Sequence, residues 1–242
     1  MTGLVLSAAP IGEYDKRVVI LTKEYGKISA FAKGARRPNS PLVGAVNPFA
    51  FGKFTIYEGR TSYTIMSAEI TNYFAELRED ITGAYYGFYF LEFANYYTRE
   101  SNDEREMLGL LYQSLRALSN PHLPKRLVRV IYELKALCIN GEGPEVFRCT
   151  VCGDRERSAE FSVKKGGLVC RECAADVRDG VSLDKSTLYS MQYIESSKIE
   201  KLYTFTVTER VLEELEKIME RYCEVYIDKK FHSLEILETL QK

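Results

Sequence analysis

The run Arg17-Val18-Val19-Ile20-Leu21-Thr22-Lys23-Glu24-Tyr25-Gly26-Lys27-Ile28-Ser29-Ala30-Phe31-Ala32-Lys33 decides the fold of the first quarter of the chain. Two stretches rich in β-branched and aromatic residues flank Glu24-Tyr25-Gly26-Lys27, where the glycine suits a tight turn. This predicts a hairpin with strands over Arg17–Lys23 and Lys27–Lys33. Working outward, Gly3–Ala8, Phe49–Tyr57 and Ser62–Ile70 have the same composition, and Glu58-Gly59-Arg60-Thr61 supplies a second turn. Five short strands in about 70 residues, without helical periodicity, predict a small closed barrel. The OB-fold is the commonest five-stranded choice, and an SH3-like barrel competes with it. Gly34–Pro48, with Pro38, Pro41 and Pro48, reads as a loop.

From about Asp80 the pattern turns helical. Ile81, Ala84, Tyr85, Phe88 and Leu91 follow one face, while Tyr86, Tyr89, Phe90, Phe93, Tyr96 and Tyr97 fill the others. A helix apolar on nearly every side predicts a buried central helix, with a stacking platform for bases as the alternative. Ser101 and Glu104 form a capping-box pattern for a second helix reaching about Leu118. Pro124 suits the first turn of a third, ending at Ile139 before Asn140-Gly141. Leu183–Glu195 and Thr208–Lys229 read as helices, and Leu234, Ile236, Leu237 and Leu240 suggest a short last one. The expected class is α+β: a five-stranded OB-fold barrel over 1–79, then an all-α domain over 80–146 and 178–242. The span 147–177 forms an inserted metal module.

That module rests on Cys149, Cys152, Cys170 and Cys173, spaced C-x2-C-x17-C-x2-C. The spacing falls in the range of four-thiolate zinc sites. Glu160–Val169, with its turn near Lys165–Gly167, has the pattern of a hairpin joining the two pairs. A soft d10 cation prefers sulfur in tetrahedral geometry, and four thiolates leave no open position, so one structural Zn2+ per chain is expected. Reduced thiols in a cytoplasmic protein favour this over disulfides. Cys138 and Cys223 stand alone in helical patterns and read as small buried residues.

The net charge of −1 hides an asymmetry: residues 1–60 carry nine Lys/Arg and four acids, a balance of +5 that leaves −6 for the other 182 residues. A basic first quarter points to an anionic partner such as nucleic acid, with chance variation in surface charge as the bland reading. Lys33-Gly34-Ala35-Arg36-Arg37 leaves a predicted strand and enters the loop, a setting that suits phosphate contact. The candidate contacts are Lys33, Arg36 and Arg37, with Arg17, Lys27 and Lys53 from the same basic quarter. Phe31 and Phe54 are read as barrel core, and base stacking is the alternative. Lys125, Arg126 and Arg129, at i, i+1 and i+4 of a predicted helix, could receive an acidic peptide or form a solvated face.

Apolar content of 45% and charged content of 28% fit a soluble globular protein, and no apolar run approaches a membrane span. The start Met1-Thr2-Gly3-Leu4-Val5-Leu6 has neither the basic region nor the apolar core of a signal peptide, so cytoplasm is expected. There is no G-x-x-x-x-G-K-[ST] loop, and the only histidines are His122 and His232. No P-loop NTPase is therefore apparent, and an H-E-x-x-H metalloprotease is excluded. A non-enzymatic role is expected. A zinc-ribbon adaptor acting through protein contacts and an unrecognised nuclease are the alternatives.

Taken together these segments resemble the bacterial RecO family of recombination mediators. The resemblance spans the chain. It is strongest in Glu13-Tyr14-Asp15-Lys16, Leu21-Thr22-Lys23-Glu24-Tyr25-Gly26-Lys27, Ala32-Lys33-Gly34-Ala35-Arg36 and Ser67-Ala68-Glu69. A departure is Glu142, where the family usually has an aromatic residue. The resemblance implies a protein that binds single- and double-stranded DNA, anneals complementary strands and helps load recombinase onto DNA coated with single-strand-binding protein. It implies action with RecR, contact with the acidic, Phe-ended tail of single-strand-binding protein, RecF as a further candidate partner, and a nucleoid-associated cytoplasmic location. Lys33, Arg36 and Arg37 would contact phosphate, and the four cysteines would hold zinc.

Overall fold

The computed structural model describes residues 1–155 and 158–240, so positions 156–157 of the expected metal module and the last two residues lie outside the described structure. The chain divides into two compact units: Met1–Ser119 together with the segment from Phe231 on, and Asn120–Lys230.

In the first unit, β1 (Thr2–Ile11), β2 (Asp15–Thr22), β3 (Gly26–Ala32), β4 (Phe51–Glu58) and β5 (Tyr63–Asn72) form a closed barrel in the order β1-β2-β3-β5-β4. The parallel β3–β5 pairing and the antiparallel β1–β4 seam give the OB arrangement and exclude the SH3-like one. Alternate residues point inward, as in β3, whose Ile28, Ala30 and Ala32 join Val5, Val18, Ile20, Phe54 and Ile65 in the barrel core. Phe54 is core as expected, whereas Phe31 takes the opposite, half-buried face of β3. Gly26, at φ +66°, turns the β2–β3 hairpin. A Cβ there would also sit 2.4 Å from the Arg99 carbonyl oxygen, so the turn and the chain leaving the next long helix close on each other.

That helix is α2 (Ile81–Tyr97), preceded by the single turn α1 (Glu76–Glu79). Asp80 caps α2 by accepting a hydrogen bond from the Gly83 N–H. Its aromatic composition is explained by burial: Tyr86, Tyr89, Phe90 and Phe93 are almost fully enclosed. Phe231 stacks on Phe93 with ring centroids 5.5 Å apart and meets Tyr89 edge-on at 5.4 Å. The following α7 (His232–Leu240) lies along α2, and Ser233 Oγ donates to the Glu92 carboxylate at 2.8 Å. In α3 (Arg105–Leu118) the expected capping box does not form. Ser101 adopts φ +62° and the helix begins only at Arg105, because Glu104 instead accepts from the Arg99 N–H.

The second unit holds α4 (Lys125–Ile139), the hairpin β6 (Ser158–Ser162) and β7 (Gly167–Cys170), α5 (Lys185–Ser196) and α6 (Glu209–Tyr226). Helices α4, α5 and α6 pack on one another around Tyr132, Leu134, Met191 and Leu215. Among the described residues, no helix is long and apolar enough to cross a membrane.

The aromatic cluster on α2 predicts a specific weakness. Phe231→Ala, which removes a buried ring from between Tyr89, Phe93 and Tyr96, is expected to lower stability by about 3–5 kcal/mol. Urea unfolding followed by circular dichroism measures this, and a midpoint unchanged from the parent would show that the ring is not a keystone.

Candidate functional site

Two constellations carry chemistry. In the second unit, Cys149 and Cys152 lie on a turn before the hairpin, Cys170 ends β7, and Cys173 follows one turn later. The turns are fixed by the backbone: the Gly153 N–H donates to the Cys149 carbonyl at 2.9 Å, and the Cys173 N–H to the Cys170 carbonyl at 3.0 Å. The four Sγ atoms all lie within 4.8 Å of one another. Cys152 and Cys170 sulfurs are 3.6 Å apart. That is far beyond a disulfide bond and close to the ~3.8 Å edge of a sulfur tetrahedron around a zinc-sized ion.

The electrostatics fit a cation. Burial would raise the Cys149 thiol, but N–H groups of Cys152, Cys170 and Val151 aimed at its sulfur outweigh that and lower it to about 6. Hydrogen bonding to Cys170, burial and the other sulfurs push Cys173 up to about 12. The N–H groups around Cys149 favour the thiolate form, which is the form a cation binds. Four convergent sulfurs could hold a metal ion, and with all four bound no position remains for water or substrate. Val169 and the half-buried Ala174 and Val177 pack around the cluster. The Tyr226 hydroxyl of α6 donates to the Val163 carbonyl in the hairpin turn at 3.0 Å.

The second constellation is on the barrel. The β2–β3 register pairs Lys16 with Ala32, so the β1–β2 turn lies beside the segment leaving β3. The Gly34 N–H donates to Asp15 Oδ1 at 2.7 Å, and the Arg36 N–H to the Tyr14 carbonyl at 2.9 Å. The Arg36 guanidinium donates to the carbonyls of Glu13 at 3.1 Å and Gly12 at 3.3 Å. The Arg37 guanidinium lies over the Tyr14 ring, 5.1 Å from its centroid. Sequence reasoning passed over Tyr14. The available signal was the hairpin register, which sets residue 14 opposite residue 34.

The other predicted cations differ in their surroundings. Lys33 and Lys53 are exposed, and Arg17 is exposed while donating from Nε to Ser29 Oγ at 2.8 Å. Lys27 is half-buried, its ammonium donating to the Asn95 carbonyl of α2. In the second unit, Arg126 pairs with Glu209 and Glu216 of α6, and Arg129 with the buried Glu133 one turn on. Lys125 opens α4 beside them.

Comparison with known proteins covers both halves of the chain. Residues 1–74 match the family model described as Recombination protein O N terminal, and residues 78–235 the one described as Recombination protein O C terminal. Among relatives named DNA repair protein RecO, that of Acetivibrio thermocellus is 32% identical over 243 residues, covering 100% of this chain and 96% of its own. That of Alkaliphilus metalliredigens is 32% identical over 240 residues, covering 98% of each chain. That of a Thermoanaerobacter species is 31% identical over 238 residues, covering 98% of this chain and 96% of its own. Since the likeness runs from the closed barrel through the cysteine-bearing helical unit at nearly full length on both sides, the chain belongs to the RecO family of DNA repair proteins.

Proposed function

We propose that this protein is a non-enzymatic recombination mediator. It binds single- and double-stranded DNA, anneals complementary strands, and helps load recombinase onto DNA coated with single-strand-binding protein. The observation that carries the proposal is full-length membership in a family of DNA repair proteins, joined to a barrel whose outward residues include the exposed cations Arg17, Lys33, Arg37 and Lys53. Annealing requires two mutually repelling strands to be brought together. Cations that neutralise phosphates do this while leaving base edges free to pair.

In this reading residues 1–79 carry DNA. The helices of 80–146 and 178–242 support them, and the 147–177 module is held by Zn2+ at Cys149, Cys152, Cys170 and Cys173. The four-sulfur donor set is what supports zinc, since harder cations prefer oxygen. The ion's contribution is to folding, because the module has only a small apolar cluster of its own. The partners are RecR, RecF and the acidic tail of single-strand-binding protein, and the work is done in the cytoplasm at the nucleoid. A tail reaching Lys125, Arg126 and Arg129 would compete with Glu209, Glu216 and Glu133 for the two arginines. Lys27, turned toward α2, supports the barrel more than it reaches phosphate.

Strand annealing with bare DNA, with coated DNA, and with DNA coated by a tail-deleted single-strand-binding protein tests the proposal. Annealing of coated strands should require the tail, and tail-independent annealing would remove the central partner. Arg17→Ala with Lys33→Ala should weaken single-strand binding and reduce its log-log salt slope by about 1.4, near 0.7 for each phosphate that is no longer neutralised. An unchanged slope in a salt titration would take these residues out of the interface. Zinc should be found at one per chain and be released on acidification, as protons compete for the sulfurs. Cys149→Ser should lower both zinc content and the melting temperature. A metal-free protein of full stability would reduce the quartet to a relic.

A further inference from the structure

We infer that Tyr14 is a stacking site for one unpaired base, with Arg37 as its cationic backing and Arg36 as the residue that positions it. The inference rests on the proposal that the barrel binds single strands, and it adds a kind of contact which that proposal does not contain.

Tyr14 sits in the β1–β2 turn with 43% of its surface exposed. An exposed aromatic ring on a turn tip gains little from burial, so its orientation needs another cause. Here three separate restraints supply one. The Arg36 side chain grips the two carbonyls before Tyr14, and the Arg36 N–H takes the carbonyl of Tyr14 itself. Asp15, the next residue, is held by the Gly34 N–H. The ring then lies under the Arg37 guanidinium. The turn is thereby prevented from folding the ring away.

A phenol with a guanidinium over one face and solvent on much of the rest is suited to a flat, weakly charged partner. A nucleobase in a single strand offers such a face, and the adjoining phosphates would meet Arg37 and the exposed Lys33. Glu13 works against a phosphate at the ring's tip, because its carboxylate neighbours the phenol and raises the pKa of its hydroxyl, so the contact expected at Tyr14 is to a base and not to the backbone. Through Nη1 Arg36 holds two carbonyls of the neighbouring turn, so its part in the stack is to position Tyr14, while Lys33 and Arg37 face the adjoining phosphates.

The test compares a single-stranded oligothymidine with an abasic strand of the same length and phosphate count, using the full chain. Tyr14→Ala should weaken binding to the oligothymidine by about tenfold, within the range for one stacked base. It should leave the salt slope and the affinity for the abasic strand unchanged. Tyr14→Phe should bind like the parent. Arg36→Ala should weaken oligothymidine binding on its own and add little on top of Tyr14→Ala, the non-additivity expected of a residue acting through its neighbour. Because the chain has no tryptophan, Tyr14→Trp places a single reporter at the site, and its emission should be quenched by oligothymidine but not by the abasic strand. Equal losses on both strands for Tyr14→Ala, or parental binding by that variant, would overturn the stacking site while leaving salt-dependent binding to phosphate intact. Absence of salt-dependent binding by the unsubstituted chain to either strand would overturn the proposed function and the stack with it.

Discussion

Barrel closure rests on a seam of three residue pairs, Thr2 with Lys53, Gly3 with Gly52 and Leu4 with Phe51. Two glycines face each other in its middle, and neither position has room for a side chain. A Cβ on Gly3 would stand 2.6 Å from the Leu21 carbonyl oxygen, and one on Gly52 2.1 Å from that of Glu69. At the seam β1 therefore lies against β2, and β4 against β5, more closely than a residue with a Cβ permits. Closure fixes the pleat, and the pleat decides which residues face out. Arg17 on β2 and Lys53 on β4 reach solvent because Val18 and Phe54 beside them fill the interior. The β2–β3 register that brings the β1–β2 turn beside the segment leaving β3 belongs to the same closed sheet.

The two constellations divide the work by chemistry. The sulfur cluster is closed and short-range, since its four donors lie within 4.8 Å of one another. The barrel cations are exposed and distributed. An ion at the sulfurs would alter folding energy, whereas a phosphate at the barrel would alter occupancy. The arginines differ in what holds them. Arg36 and Arg126 look alike in sequence to Arg17 and Arg37, yet the first grips carbonyls and the second grips two carboxylates.

What could be read from the sequence was whatever depends on near neighbours along the chain. The hairpin around Gly26, the alternation of β3 and the pairing of Cys149 with Cys152 are local, and each follows from turn chemistry or from the period of the backbone. The cysteine quartet could be read whole because its two halves announce themselves by spacing. Ser101 misled because a capping box presumes that Glu104 turns back on its own helix, while here it reaches the Arg99 N–H. The environment of each cation was not legible, because Arg36 meets Gly12, Lys27 meets Asn95 and Arg126 meets Glu216 across separations that only the fold creates. The contacts of Tyr14 were hidden for the same reason: what its ring and carbonyl meet comes from residues 36 and 37 and not from its own segment.

The placement of Phe231 and α7 against α2 bears on how the protein is made. Ser233 and Glu92 are 141 residues apart in sequence, yet they are bonded in one unit. At about 5–20 residues per second of synthesis, the aromatic face of α2 waits roughly 7–30 s for its cover. During that interval the whole of the second unit, Asn120–Lys230, emerges and can fold. The barrel can close early, but this face of the helix beside it lacks its cover until Phe231 and α7 have been made.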